Sequence, residues 1–253
     1  MAKTNKPKTD TDRLTVSKQV PEAIKRSPSV PSMVTTMQVE EVLPTFARFE
    51  ATYELRAQAI ANNKAARVEG KALDEKFDVA FRMFTPTVRD ERGVGASGEL
   101  AKMAGGILPS DLVKHPLHEE HLHTAEILRQ VPLRSDLSYD ATRYAELAAV
   151  HAKLPGMIST LATTALAVKT TTDDHYASRA SFDSVYGRFR SVVRAAGGDA
   201  LVRALLPEFI SRDPKEYDEP SGDDNSEVVS DVDSDVSQSG GGDSGGWDSG
   251  GGA

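Results

Sequence analysis

LAAVHAKLPGMISTLATTALAV, residues 147–168, is the most regular stretch of this chain. Leu147, Leu154, Leu161 and Val168 recur every seven residues, with Val150 and Met157 at the intermediate position, as the seam of a coiled coil or helical bundle requires. The repeat holds for about three heptads. Pro155-Gly156 interrupts it, and the residue before a proline avoids α geometry, so the stretch reads as one kinked helix or two coaxial ones. Its charge-free part, Leu154 to Val168, is fifteen residues with four Ser/Thr side chains, short of the ~20 that span a bilayer. It predicts a buried helix, with no membrane insertion.

Helical spacing continues on both sides. Downstream, Thr170, Thr171, Thr172 and Asp173 predict a loop with an N-cap. Tyr176, Phe182, Val185, Tyr186, Phe189, Val192 and Val193 then form a helical stripe that Gly197-Gly198 ends, before a last helix capped by Asp199 and distorted near Pro207. Upstream, Leu117 to Arg129 shows His121 or Leu122, Ala125 and Leu128 on one side, and Pro132 stops it. Residues 93–116 carry five glycines and two prolines and read as the central connection. Earlier, Val42, Phe46, Phe49, Tyr53 and Ile60 form one stripe and Leu73, Phe77, Phe81 and Phe84 another. Asn62, Asn63 and Gly70 lie between them, so a helical hairpin is preferred to one long bent helix. With no strand alternation and no long repeat, the expected class is all-α, a bundle of five to seven helices. Its expected core is Phe46, Phe49, Phe77, Phe81, Leu147, Leu161, Phe182 and Phe189.

The ends differ from the middle. Residues 1–31 carry a net +4 with four prolines, and residues 213–253 a net −11 in a Gly/Ser-rich background, so the overall −8 leaves residues 32–212 nearly neutral. Both ends lack the apolar residues needed to offset the entropy of ordering. The expected organisation is a disordered basic arm (1–31), a helical domain (32–212) and a disordered acidic tail (213–253).

Zero cysteines exclude disulfides, thiol nucleophiles and Cys-based zinc sites. Net acidity disfavours nucleic acid and anionic membranes. The charged N-terminus lacks the pattern of a conventional secretory signal, so the chain is expected in the cytoplasm or incorporated in an assembly. The densest candidate for chemistry is HPLHEEHLH, in which His115, His118, Glu119, Glu120, His121 and His123 could ligate a transition metal. Glu120-x-x-His123 matches the pair used in di-iron carboxylate bundles, but no second pair accompanies it, and a polar, exposed helix face is the simpler reading. Gly93-Val-Gly95-Ala-Ser-Gly98 spells a dinucleotide fingerprint without the preceding parallel strand, and reads as an interhelix loop. Asp231, Asp233 and Asp235 open like a calcium loop that lacks its Gly and Glu. Arg188, Arg190 and Arg194 offer a basic helix face, and Trp247 an aromatic anchor in the acidic tail. The resulting expectation is a non-enzymatic helical interaction or scaffold protein with no cofactor, binding a protein partner or forming a homo-oligomer. The alternative is a histidine-carboxylate transition-metal protein or metalloenzyme.

Overall fold

The computed structural model describes residues 3–210, of which residues 5–209 form one unit; Lys3–Thr4 and Ile210 group apart from it. In chain order the helices are α1 (Asp10–Arg26), α2 (Ser32–Met37), α3 (Leu43–Phe84), α4 (Ser97–Met103), α5 (Pro109–Leu112), α6 (Leu117–Gln130), α7 (Ala141–His151) and α8 (Leu154–Leu205). The class is all-α. A two-residue antiparallel ladder, Arg89–Asp90 against Leu137–Ser138, ties the central connection together.

Two long helices carry the architecture. α3, at 42 residues, is about 63 Å long, and it lies antiparallel to α8 and α7 along its whole length. The register is read from Phe46 stacked on Phe182 (4.6 Å), Thr52 bonded to Ser178 (2.6 Å) and Thr164 donating to Asn63 Oδ1 (3.1 Å). Gly70 lies against Leu161, and Phe84 meets Tyr144 edge-on at 6.1 Å. α7 ends at His151 and α8 begins at Leu154, the break falling at Ala152-Lys153 just before Pro155. The seven-residue spacing of Leu147, Leu154, Leu161 and Val168 extends through His175, Phe182 and Phe189. On α3 the matching positions are Phe49, Arg56, Asn63, Gly70, Phe77 and Phe84, with Val42 just before its first residue.

The seam is apolar at its ends and small or polar in the middle. One core joins Val16 and Val20 of α1 to Phe46, Phe49, Phe182, Tyr186 and Phe189. The other joins Phe77, Phe81 and Phe84 to Leu100, Leu112, Ile127, Leu147 and Leu154. Between them Ala59, Asn63, Ala66 and Gly70 face Thr164, Leu161 and Met157. Gly70 permits the close approach: a Cβ there would lie 3.3 Å from Leu161 Cδ1.

Several expectations are corrected. Residues 1–31 are not an unstructured arm throughout, because α1 folds behind a Thr9–Asp12 capping box and buries Val16, Val20 and Ile24. Pro21 inside α1 costs ~3 kcal/mol, which roughly 5–9 kcal/mol from three buried aliphatic side chains outweighs. The hairpin break at Asn62–Gly70 is absent. Asn63 is buried with its side chain bonded to Thr164, so packing overrides its poor helix propensity. The loop expected at Thr170–Asp173 is helical, with Thr171 Oγ1 bonding back to the Ala167 carbonyl (2.7 Å). Leu161, expected in the core, is only half-buried. α6 is rotated from its expected face: Glu120, Thr124 and Ile127 point inward while Leu122 is exposed. Gly197-Gly198 does break α8, with Gly198 at φ +63°, and the chain folds back to bury Val202 and Leu205. Residues 213–253, including Asp231, Asp233, Asp235 and Trp247, lie outside the described residues.

Candidate functional site

The phase of α6 is set by its apolar anchors. Ile127 and Val131 are fully buried in the second core, and Glu120 is seven residues before Ile127, so the same face carries its carboxylate inward. On α3, Phe77 and Phe81 occupy that core while Asp74 and Asp78, one turn apart, flank the stripe. One carboxylate oxygen from each of Asp74, Asp78 and Glu120 lies within 4.8 Å of the other two.

This cluster is short of partners. Glu120 is 1% exposed, and its Oε2 has no hydrogen-bond partner. Asp78 Oδ2 accepts from Arg82 (2.9 Å), but its buried Oδ1 accepts from nothing. Thr124, one turn beyond Glu120 on the same helix, is fully buried with its hydroxyl unpartnered. Burial, then the charge of Asp74 with a shared hydrogen bond, then Asp78, push the Glu120 carboxyl up from the ordinary 4.5 to about 8. Burial also raises Asp78, against the opposing pull of Arg82. Three carboxyls this close cannot all ionise cheaply, so a proton or a cation belongs among them. Among the described residues this is the group of three whose oxygens could hold a metal.

The histidines go elsewhere. His115 Nδ1 lies 2.6 Å from Glu119 Oε2, holding the Glu119 carboxyl below its usual range, and His118 Nε2 lies 3.9 Å from Glu119 Oε1. The His121 ring stacks on His151 at 4.6 Å, and His151 Nε2 lies 3.0 Å from the His121 carbonyl oxygen. Burial first, and His151 second, lower the His121 pKa. His123 lies beside Gly105. The six residues of the expected cluster therefore divide between the outer face of α6, its contact with α7 and the α3 seam. No family model, curated protein or solved structure matches the chain.

A second polar cluster, not anticipated from sequence, docks α1. Fully buried His175 approaches Asp10 (2.8 Å), and Arg13 forks onto Asp183 through Nε (3.0 Å) and Nη2 (2.7 Å) while reaching Asp10 at 3.2 Å. The expected basic face is dispersed: Arg188 pairs with Glu41 (2.7 Å) and Arg194 with Asp199 (3.1 Å). Arg190 lies near the buried Tyr186, whose hydroxyl pKa burial raises and Arg190 partly offsets. In the glycine loop, Asp90 Oδ1 accepts from the Arg92 and Val94 amides, and the preceding two-residue strand is antiparallel. Those amides serve a turn rather than a pyrophosphate.

Proposed function

We propose that this chain is a non-enzymatic helical scaffold or interaction protein whose long helix pair acts as a coiled-coil-like arm. The observation that carries the reading is the separation of two apolar cores by a two-helix stretch whose outer surface bears exposed Leu55, Val68, Leu166 and Tyr176. A spacer of this kind keeps two ends rigidly apart and offers a long face to a protein partner or a second copy. Exposed large apolar side chains on such an arm are available to the apolar surface of a partner. Arg188, Arg190 and Arg194 supply a polar contact near one end, and the acidic residues 213–253, with Trp247, act as a partner-binding or solubilising arm.

The test is sedimentation over a range of concentrations, with partner capture, comparing the full chain with a Leu55→Glu, Val68→Glu, Leu166→Glu variant. The substituted side chains are outside both cores, so the melt should persist while association is lost. A wild-type chain that remains monomeric and captures nothing reproducibly, or a variant that associates equally well, overturns the reading. The alternative, a histidine-carboxylate transition-metal site, has weaker support because Glu120 faces away from His115 and His118.

A further inference from the structure

We propose that Asp74, Asp78 and Glu120 form a binding site for a hard divalent cation of the calcium class, which pins α6 against α3. This goes beyond the scaffold reading and does not depend on it.

The ligand set is all oxygen, with no imidazole among the three, which suits calcium, magnesium or manganese rather than zinc or copper. Magnesium keeps several of its waters and is usually held through one or two carboxylates, whereas calcium takes about six to eight oxygens in flexible geometry, so three carboxylates brought together from two helices favour calcium. One carboxylate oxygen from each of the three residues lies within 4.8 Å of the other two, close enough for all three to reach a single ion. Full ionisation supplies three negative charges to two positive ones.

The burial of Glu120 is the independent pointer to a ligand. An acidic cluster on a surface is solvated and needs nothing. Here the glutamate is 1% exposed, its Oε2 has no partner, and it is directed at two aspartates from another helix. The Arg82 guanidinium reaches Asp78 Oδ2 only, leaving Oδ1 buried and unbonded. One proton can serve one of these two orphaned oxygens, whereas a cation can draw on a carboxylate oxygen from all three residues. Water molecules complete a calcium shell that three carboxylates leave partly open. The remaining charged groups of α6 do not compete, since Glu119 is engaged with His115, and Glu126 with Arg129 and Gln130.

The experiment uses the full chain, stripped with chelator and dialysed, and titrated at slightly alkaline pH with calcium, magnesium, manganese, zinc and nickel chlorides. Calorimetry and thermal melting are the readouts, on wild type, Glu120→Gln, Asp74→Asn/Asp78→Asn, His115→Ala/His118→Ala and the outward-facing Glu119→Gln. Circular dichroism establishes that each variant is folded. Calcium should bind with one-to-one stoichiometry and raise the melting temperature. Glu120→Gln and the aspartate pair should weaken binding at least tenfold, and Glu119→Gln should leave it unchanged. The proposal is overturned if calcium gives no saturable heat, or if wild type and Glu120→Gln respond alike. It is equally overturned if zinc or nickel binds in preference and is lost with His115→Ala/His118→Ala rather than with Glu120→Gln.

Discussion

Glu120→Gln tests the electrostatics of the carboxyl cluster without any added ion. A glutamate whose carboxyl moves from 4.5 in the unfolded chain to about 8 in the folded one holds its proton more tightly when folded. Its contribution to stability is therefore most favourable below 4.5, declines as pH rises, and levels off above about 8. At 1.36 kcal/mol per pKa unit the ceiling on that loss is about 5 kcal/mol, and relaxation of the cluster will reduce it to roughly 2–4. Gln has the shape of the protonated acid and no charge to desolvate. In chelator, the variant should match wild type within about 1 kcal/mol near pH 5 and be more stable by roughly 2–4 kcal/mol near pH 8.5. The groups facing Glu120 are Asp74 and Asp78, the latter tied to Arg82, and Asp78 shifts in the same direction. His121, stacked on His151, shifts oppositely: its lowered pKa gives stability that is present above 6.5 and lost as pH falls. Both proteins share that effect, so the difference between them cancels it. Urea denaturation followed by circular dichroism, at fixed ionic strength across this pH range, provides the measurement. A difference that does not change with pH, or a variant less stable than wild type near pH 8.5, refutes the reasoning.

Two further substitutions read the seam. Leu147→Ala, in a fully buried site of the second core, should cost about 2–5 kcal/mol, whereas Leu161→Ala, half-buried between two helices, should cost about 1; equal losses in urea melts would contradict the thin mid-section. Gly70→Ala places a methyl 3.3 Å from a Leu161 side chain that has room to turn, so the helix-propensity gain should dominate and stabilise by roughly 0.5–1 kcal/mol; a loss above ~1 kcal/mol would mean that the two helices cannot part there.

The fold was legible wherever burial and side-chain chemistry agree. Leu147, Leu154 and Val168 are apolar and buried, and their spacing revealed a helix seam. In sequence the apolar repeat stops at Val168 because the next position is His175, a polar side chain whose burial depends on Asp10, 165 residues away. The same conflict hid α3. Asn63 and Gly70 are poor helix residues considered alone, but one finds Thr164 and the other gives Leu161 its space. α1 is not legible because its three buried aliphatics lie in a segment, residues 1–31, with seven basic residues and four prolines, which does not look core-forming. Arg13, counted there as part of a solvated arm, is 3% exposed and bound to Asp183.

The site shows why a local pattern can name the right residue for the wrong reason. In HPLHEEHLH the four histidines carry the pattern, with Glu119 as a further candidate ligand and Glu120 both a candidate ligand and the spaced partner of His123. Its significance lies in phase: Ile127 and Val131 must enter the core beside Leu112, and a helix anchored there turns Glu120 toward α3 whatever the histidines prefer. Asp74 and Asp78 are visible as an i, i+4 pair, yet surface helices carry such pairs routinely and nothing local joins them to a segment some forty residues later. The energetic order also explains the arrangement. Burying Ile127 contributes roughly 1.5–3 kcal/mol, and several neighbours do likewise, so together they can hold one costly carboxyl inside. A single apolar contact could not. The charge cluster thus survives because the second core surrounds it, and any ligand that relieves the cluster adds its binding energy directly to the packing of α6.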